Sequence, residues 1–325
     1  MKEYQVRLYH QDDFELWNTF VSEAKNATFL FHRDFMEYHS NRFLDYSLMV
    51  FQNEKLVSVL PANKVENAVY SHLGLTYGGL VLKDKISLQK VILIFKEFLK
   101  FLNLNEIETL VLKQIPSIYC DIFSDEINYA LFVSKANLYR VDALSVLNLS
   151  KSFVLSKDRK AGISKGNDCY LEVIEETNFE LFWNEILIPN LKLKHNVKPV
   201  HSLEEITYLH SKFPDKIRQF NVYHDDKIVA GTTIFETKLV AHSQYISGNN
   251  EKNTNGSLDF LHHHLITNVF KDKPFFDFGI SNENNGLSLN SGLLYWKESF
   301  GANTVVQNFY EVSTQHYKLL DYVLI

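Results

Sequence analysis

Cysteine is scarce in this chain, with two residues, Cys120 and Cys169, in 325. Because the two cysteines lie in different halves, they predict neither a disulfide framework nor a cysteine-ligated zinc site. No run of about 18 uncharged apolar residues occurs, so a transmembrane helix is not expected. The first residues, MKEYQVRLYHQDDF, contain no apolar core of signal-peptide length, which makes a cytoplasmic location the expectation.

Positive charge is not in excess either. The formal net charge is −6, so the whole surface is not that of an electropositive nucleic-acid binder, and DNA is not expected as a partner. A local basic patch remains compatible with this total. Apolar residues make up 46% of the chain, which is ample for hydrophobic cores. At ~150 residues per domain, the length favours two domains.

The chain carries an internal repeat. Ser47–Lys64 and Gln219–Glu236 each contain an apolar run, a polar turn ending in lysine and a second apolar run, and Lys55 and Lys227 are 172 residues apart. Two further pairs of segments follow at offsets of 170 and 166 residues: Ser87-Leu88 with Ser257-Leu258, and Thr109–Leu112 with Phe275–Phe278. A nearly constant offset predicts duplication of a whole α/β unit. We therefore expect an α/β (α+β) fold with domains at residues 1–150 and 151–325, each a mixed, mainly antiparallel sheet flanked by helices.

The densest group of polar residues that could support chemistry lies in Phe276–Asn303. A buried strand there ends at Asp277, a polar loop with Ser281 and Asn284 follows, and a helix then carries Trp296 and Lys297. Ligands of α/β sheets favour strand ends, where loops bring polar groups together. A cation in the last turn of a helix is also favoured by the helix dipole. Spacing alone leaves a functional and a structural role for Lys297 equally open.

Other candidates are more scattered. His242 and Tyr245 lie on a strand, and either His242 or Asp277 could be a general base. The loop around Tyr77 and Gly79 could bring a phenol and bare backbone to a cleft, or could be a glycine turn beside a packed tyrosine. Consecutive histidines on a helix point about 100° apart, so His262–His264 do not predict a metal site.

Several motifs together resemble the Fem family of peptidoglycan-bridge aminoacyl transferases, within the GNAT superfamily. They are Lys227–Gly231, Gly256–Phe270, Phe276–Gly279, Trp296-Lys297, Phe300-Gly301, Lys194-His195 and the basic stretch Arg159–Lys165. The resemblance covers most of residues 151–312 and extends more weakly into the first half. It implies two tandem GNAT-like domains, a degenerate first one on the acceptor side and a catalytic second one.

What the resemblance implies chemically is acyl or aminoacyl transfer to an amine. The family's lysine that polarises the donor carbonyl matches Lys297, and Trp296 replaces the usual phenylalanine. With Asp277 and His242, Lys297 makes up the expected catalytic set. The expected substrate-binding residues are Tyr77, Gly79, Arg159, Lys165, Lys194, His195, Tyr245, Ser281, Asn284 and Trp296.

The donor is left open by the loop before the Gly256–Phe270 helix. GNAT acetyltransferases bind the coenzyme A diphosphate in a glycine-rich loop at a helix N-terminus. Here Asn250–Gly256 has one glycine and an acidic Glu251, which argues against a standard acetyl-CoA site. Asn255, Gly256 and Ser257 would be the contacts to such a donor. We expect no permanently bound cofactor and either aminoacyl-tRNA or acyl-CoA as co-substrate.

The expected acceptor is an amine on a peptidoglycan intermediate or on a nucleotide- or lipid-linked amino sugar. The basic stretch Lys151–Lys165 could contact tRNA phosphates, or could be a solvated helix face. Peripheral contact with a membrane is left open. Two other functions are compatible with the sequence: an acyl-CoA-dependent N-acyltransferase acting on a small amino sugar or amino acid, and a GNAT-like binding module without catalysis.

Overall fold

A computed structural model describes residues 4–323, except for the side chains of Lys194 and His195. The chain forms two units: the first runs to Asp142 and resumes at Val306, and the second is Ala143–Val305. The sequence predicts domains at residues 1–150 and 151–325, with the whole C-terminal part in the second. The difference arises because the first unit takes its last strand from the end of the chain. No helix within residues 4–323 has the length and apolar character needed to cross a membrane.

The strands before residue 150 are β1 (Tyr4–Leu8), β2 (Leu44–Asp45), β3 (Leu48–Gln52), β4 (Lys55–Leu60), β5 (Asn63–Val65), β6 (Ala68–Tyr70), β7 (Val81–Leu82), β8 (Thr109–Lys113) and β9 (Asn137–Asn148). The α-helices there are α1 (Phe14–Glu23), α2 (Arg33–Met36), α3 (Leu88–Leu104) and α4 (Glu126–Val133). Short 3₁₀ turns lie at Gln11–Asp13, Phe29–Phe31, Glu37–His39 and Ser117–Tyr119.

The later strands are β10 (Glu172–Glu176), β11 (Ile217–His224), β12 (Lys227–Glu236), β13 (Val240–Gly248), β14 (Phe275–Ile280), β15 (Asn282–Glu283), β16 (Ser288–Leu289) and β17 (Asn303–Ser313). The later α-helices are α5 (Lys157–Asp168), α6 (Ile188–His195), α7 (Leu203–Lys212), α8 (Lys252–Asn255), α9 (Ser257–His264) and α10 (Ser291–Glu298). π-Helical turns lead into α6 (Phe182–Leu187) and out of α9 (Leu265–Val269), and 3₁₀ turns lie at Asn284–Gly286 and Thr314–Tyr322.

Each unit has its own hydrophobic core. In the first unit the strand orders are β1-β3-β4-β7 and β17-β8-β6-β5-β2, and in the second unit β10-β11-β12-β13-β14-β9. Both units are mixed and mainly antiparallel, as expected. The apolar face of α3, with Phe95 and Phe98 fully buried, fills the first core, and α9 with Leu261 helps to fill the second. The helices follow the apolar periodicity of their sequences because burying that face drives their packing.

Pairing registers support the duplication that the sequence predicted. The β3–β4 hairpin has a register shift between Val50 and Phe51, and the β11–β12 hairpin has one between Val222 and Tyr223. These shifts are 172 residues apart, the same offset as Lys55 and Lys227. In the part of the chain that the structure describes, each unit then has a parallel pair at the matching position, β6 with β8 and β13 with β14. A β-bulge kept at the same repeat position indicates a shared backbone geometry rather than a shared composition alone.

In the second unit, β13 and β14 pair only along their first parts. Their paired residues run from Val240 with Phe275 to His242 with Asp277. Within the part of the chain that the structure describes, β13 continues to Gly248 and β14 to Ile280 without further pairing between them. The strands therefore part just after His242 and Asp277, and a polar edge of β13 is left open on this side.

Helices α5 and α9 approach each other through glycines. Gly256, which precedes α9, has φ +66°, and a Cβ there would lie 2.0 Å from the Gly162 carbonyl oxygen. Only glycine combines this left-handed backbone with so close an approach. Three glycines, Gly162, Gly166 and Gly256, thus set the distance between the two helices.

We expect Gly256→Ala to lower the free energy of unfolding by about 3 kcal/mol, because backbone strain adds to overpacking. Urea unfolding followed by circular dichroism measures this change. Gly292→Ala is the matched control: its nearest neighbouring atom would be 3.8 Å away, so it should cost little. Equal stability of the two variants would contradict the close α5–α9 packing.

Candidate functional site

A cavity of about 790 Å³ lies in the second unit. Ile246 and Ser247, on the part of β13 that no longer pairs with β14, form one wall. The remaining lining residues come from α5, α6, α8, α9 and α10 and their flanks: Asp158, Arg159, Ala161, Gly162, Lys165, Leu187, Asn190, Leu191, Lys252, Asn253, Leu258, Asp259, Asn290, Gly292, Leu293, Tyr295 and Trp296. The volume and the mixture of apolar walls with a few charged groups suit a small-molecule site.

Hydrogen bonds to two carboxylates join α10 to its neighbours on this wall. Trp296 donates from Nε1 to Asp259 Oδ1 at 2.7 Å, and the Tyr295 hydroxyl donates to Asp158 Oδ2 at 2.7 Å. Arg159 forms an ion pair with Asp259. The charge of Arg159 is therefore already compensated within the wall. The expected role of Arg159 in binding substrate phosphates is not favoured by this pairing.

A second group of polar residues lies where β13 and β14 part, and we call it the strand-end cluster: His242, Asp277, Gly279 and Lys297. His242 Nδ1 lies 3.0 Å from Asp277 Oδ2, and the Gly279 N–H donates to Asp277 Oδ1 at 2.7 Å. Gly279 has φ +72°, and a Cβ there would lie 3.3 Å from His242 Cε1. A left-handed turn at Gly279 therefore leads the chain away from the sheet directly beside the imidazole.

Lys297 is buried, with 2% of its surface exposed. Its ammonium donates to the carbonyl oxygens of Gly279 at 3.0 Å and Ile280 at 2.6 Å. A lysine has three N–H donors, and the third has no partner among the described residues. Burial lowers the pKa of Lys297 to about 8, against an opposing effect of the Asp277 charge. The amine is thus protonated near neutral pH but carries its charge with little solvation.

The His242–Asp277 contact orients the imidazole. A carboxylate that accepts from Nδ1–H fixes the tautomer in which Nε2 carries the lone pair. Such a histidine can take a proton through Nε2. The equivalent register positions of the first unit, Tyr70 paired with Val111, carry no such couple. The chemistry of this cluster therefore belongs to the second repeat alone.

The two groups are separate features of the second unit. The lining of the cavity includes Trp296, Arg159 and Lys165 from the predicted set, but not Lys297, Asp277 or His242. Lys165 donates to the Asn253 carbonyl at 3.0 Å and is exposed. Trp296 and Lys297 are consecutive on α10, so they point about 100° apart. One helix therefore contributes to both the cavity wall and the strand-end cluster.

Three other predicted binding residues in the second unit lie off the cavity. Tyr245 is 9% exposed, and its hydroxyl lies 2.6 Å from His201 Nδ1. Ser281 is buried, and its hydroxyl has no hydrogen-bond partner among the described residues. Asn284 is exposed in the turn between β15 and β16, where it donates to Ser288 Oγ at 3.0 Å. The cavity boundary is formed instead by Asn290, at the start of α10.

The residues expected to contact a coenzyme A diphosphate are buried and do not line the cavity. Asn255 and Ser257 are 4% and 0% exposed, and the Asn255 Oδ1 accepts from the Ser257 N–H at 3.0 Å. Gly256 packs against the Gly162 carbonyl. None of the three lines the cavity. The expected diphosphate contacts would require α5 to move away from α9, which the glycine packing opposes.

In the first unit, Tyr77 belongs to the core. It is 2% exposed, donates from its hydroxyl to Thr28 Oγ1 at 3.0 Å and packs against Phe31 and Tyr119. Of the two roles that the sequence left open for Tyr77, this burial favours the packed tyrosine, because so enclosed a side chain has no surface for a substrate. Gly79, with φ +104°, lines a cavity of about 50 Å³, which holds little more than water. The side chains of Lys194 and His195 lie outside the described residues.

Sequence reasoning missed Asp259 and Asn190. Asn190 donates to Ser247 Oγ and to the Gly248 carbonyl, both at 2.8 Å, and so ties α6 to the open end of β13. Asp259 bonds to Arg159 and Trp296, which lie 100 and 37 residues away in the chain. Neither residue belongs to a local motif, so only tertiary structure reveals its contacts. Among the described residues, no group of three or more histidine, cysteine or acidic side chains is placed to hold a metal ion.

Comparison with solved structures identifies the fold as a tandem GNAT fold. The structure of FemX matches with a TM-score of 0.68 at 8% identity, covering 98% of this chain and 99% of FemX. L-PGS from Bacillus licheniformis matches with a TM-score of 0.58 at 12% identity, covering 93% of this chain and 91% of that protein. A tandem GNAT protein from the clavulanic acid biosynthesis pathway matches with a TM-score of 0.52 at 11% identity, covering 96% and 99%.

These likenesses confirm the predicted fold class and the resemblance to Fem-like proteins at the level of the fold. No protein-family model matches the chain, and no curated protein sequence matches it. At identities of 8–12%, the common feature is the backbone architecture. A common backbone does not define the chemistry, which depends on the residues of this chain.

Lys297 generates a pH-dependent prediction for stability. Its pKa falls from the ordinary 10.5 to about 8 on folding, so between these values the unfolded chain binds more protons and the free energy of unfolding rises with pH. Relative to Lys297→Met, the wild type should gain roughly 3 kcal/mol between pH 8 and pH 10.5. Urea unfolding of both proteins across this range measures the difference. A difference that stays constant with pH would contradict the buried, poorly solvated ammonium.

Proposed function

We propose that this chain transfers an acyl or aminoacyl group to an amine of a cell-envelope precursor. The observation that carries the proposal is the parting of β13 and β14, with the strand-end cluster at the point of parting and a cavity beside the open part of β13. An open strand edge offers backbone groups to an extended ligand, and the cluster offers a base and a cation. The reaction is assigned to the second unit, because Tyr70 and Val111 stand at the matching positions of the first unit, without a base and carboxylate.

The cluster supplies the groups that such a transfer needs. The amine nitrogen of the acceptor forms a bond to the donor carbonyl carbon, and the carbonyl electron pair moves to oxygen. Lys297 would stabilise this oxyanion with its remaining N–H, since a fixed charge in a poorly solvated site is effective there. His242 would accept the amine proton at Nε2, held in the correct tautomer by Asp277. Collapse of the intermediate expels the donor's alkoxide or thiolate, which takes up the proton.

For the donor, we favour an aminoacyl ester carried by tRNA over acyl-CoA. The usual diphosphate position at the start of α9 is closed by α5, with Gly256 against the Gly162 carbonyl. Asp259 adds a carboxylate in the first turn of that helix, which disfavours phosphate nearby. Lys165 and Lys252 at the cavity could instead meet RNA phosphates on its outer side. The Fem-like resemblance supports the same choice.

For the acceptor, the support comes from the likeness to FemX and to lysylphosphatidylglycerol synthetases. We therefore propose a peptidoglycan intermediate or another lipid- or nucleotide-linked amine. The chemistry at the cluster requires only an uncharged amine nitrogen, so the acceptor class rests on the likeness rather than on the cluster. A cytoplasmic reaction would fit both proposed donors.

Replacement of the two reacting groups tests this mechanism. Lys297→Met should lower turnover roughly 10²–10³-fold, as expected for loss of an oxyanion donor. His242→Gln should lower it roughly 10²–10⁴-fold, as expected for loss of a general base. The measurement is mass-spectrometric detection of acylated product from alanyl-tRNA or acetyl-CoA and a panel of amine-bearing envelope precursors.

Lys271→Met is the matched control, because Lys271 is exposed in the second unit and lies away from both groups. It should retain wild-type turnover. Full activity in a folded Lys297→Met variant would remove Lys297 from the mechanism. Absence of any product with the wild type, across all donors and acceptors, would favour a GNAT-like binding module.

Thermal-shift measurements separate the two donors. A donor that binds the native state adds about 2.7 kcal/mol at 100 times its Kd, so the melting temperature should rise with alanyl-tRNA. Micromolar coenzyme A should leave it unchanged, because the diphosphate position is closed. Uncharged tRNA serves as the control for the aminoacyl group. Stabilisation by micromolar coenzyme A would overturn the aminoacyl-tRNA assignment in favour of acyl-CoA.

A further inference from the structure

Asp259 joins three helices of the cavity wall through one carboxylate. It is 9% exposed and lies in the first turn of α9. Its Oδ1 accepts hydrogen bonds from Trp296 Nε1 on α10 and from Arg159 on α5. Its Oδ2 occupies the space where a side chain at Gly162 would begin, 1.8 Å from that Cβ position. A glycine at 162 is therefore what admits the carboxylate between α5 and α9.

Apolar packing at this position could not replace the two hydrogen bonds that Asp259 accepts. Hydrogen bonds to an ionised carboxylate are stronger and more directional than neutral ones, so they fix the indole plane and the guanidinium together. Loss of the carboxylate would leave a guanidinium and an indole N–H without their shared acceptor. Burial raises the pKa of Asp259, and the bonds from Trp296 and Arg159 oppose that rise. The Asp259 carboxylate is thus desolvated at a position where a leucine would pack with a lower desolvation free energy.

The orientation of α10 depends on this contact. Trp296 lines the cavity, and Lys297, the next residue, donates to the carbonyls of Gly279 and Ile280 in the strand-end cluster. Tyr295 adds a second bond to α5 through Asp158, but that carboxylate is exposed. The buried bond from Trp296 to Asp259 is the one shielded from competing water.

We infer that Asp259 is a positioning residue: by holding Trp296 and Arg159 in place, it sets the shape of the cavity that receives the donor. This inference rests on the proposed function for the role of the cavity. The geometry that it claims is independent of any reaction. Among the described residues, the hydrogen-bond partners of the Asp259 carboxylate are Trp296 and Arg159 and not Lys297 or His242, so Asp259 acts through the two side chains that it binds.

Trp296 provides a readout that needs no substrate. Trp17 and Trp183 are 0% exposed, whereas Trp296 is only half-buried, so quenching of tryptophan fluorescence by acrylamide reports mainly on Trp296. Asp259→Ala should raise the quenching constant, because the indole loses its tether. Asp259→Asn should raise it less, since the amide oxygen can still accept from Nε1. Asp168→Asn removes a carboxylate from the exposed end of α5 and should leave quenching unchanged.

The kinetic test uses alanyl-tRNA as donor. Asp259→Ala should raise the donor KM about tenfold, the size expected for loss of a charge-assisted hydrogen bond, with a much smaller effect on kcat. Trp296→Phe should raise KM similarly. The double variant should have no higher KM than Asp259→Ala alone, because Asp259→Ala already removes the bond from Trp296. Asp259→Asn should recover part of the affinity.

The outcomes distinguish this inference from the proposed function. If no donor reacts with the wild type but Asp259→Ala still raises the quenching constant, the proposed function is wrong and the positioning of Trp296 by Asp259 is still supported. Unchanged quenching in a folded Asp259→Ala, or multiplicative KM effects in the double variant, would overturn the positioning role. If Asp259→Ala does not fold, the same comparison is made with Asp259→Asn and Trp296→Phe. If the variant lowers both kcat and the melting temperature but leaves KM unchanged, Asp259 has a structural role, and the positioning role is overturned.

Discussion

The early end of the pairing between β13 and β14 is the constraint on which the second unit depends. After His242 and Asp277 the two strands part, and Gly279 turns the chain away with a positive φ. Unpaired strand backbone must be satisfied by something other than a neighbouring strand. Lys297 meets this need on β14 by donating to two carbonyls, and Asn190 meets it at the end of β13 by donating to Gly248. The cavity lies beside the part of β13 that this early end of pairing leaves without a β14 partner.

The two units show how one backbone plan can keep or lose a site. In the first unit, the parallel pair β6–β8 is followed by the loop to Gly78, whose N–H donates to the Lys113 carbonyl at 2.6 Å. That contact closes the edge which the second unit leaves open, and the cavity beside Gly78 and Gly79 has a volume of about 50 Å³. Tyr70 and Val111 stand where the second unit has a histidine and an aspartate. The duplication therefore kept the fold in both copies and left a base–carboxylate couple in one.

Much of the architecture could be predicted from the sequence because it depends on local patterns. Repeated hairpins with lysine turns, amphipathic helices and a strand ending in Asp277 each carry a short-range signal, and together they predicted the duplicated fold. The candidate site was predicted less completely. Lys297, Asp277 and His242 do come together, because His242 and Asp277 are paired on neighbouring strands and Lys297 donates to the β14 carbonyls that follow Asp277. Tyr77 and Gly256 carried loop signals of the same kind, but the structure packs them into the interior, because Thr28 and Gly162 lie against them.

The elements, their order and their duplication can be predicted from the amino-acid sequence, because apolar periodicity and turn residues act over a few positions. Which polar groups face each other depends on the folded chain, because those contacts join residues far apart in the sequence. Arg159 is an example. The sequence predicts that Arg159 lies on a basic helix, but only the structure shows that it pairs with Asp259, 100 residues later. The boundary between the units likewise depends on a contact between distant residues, because the strand that completes the first unit comes from the end of the chain.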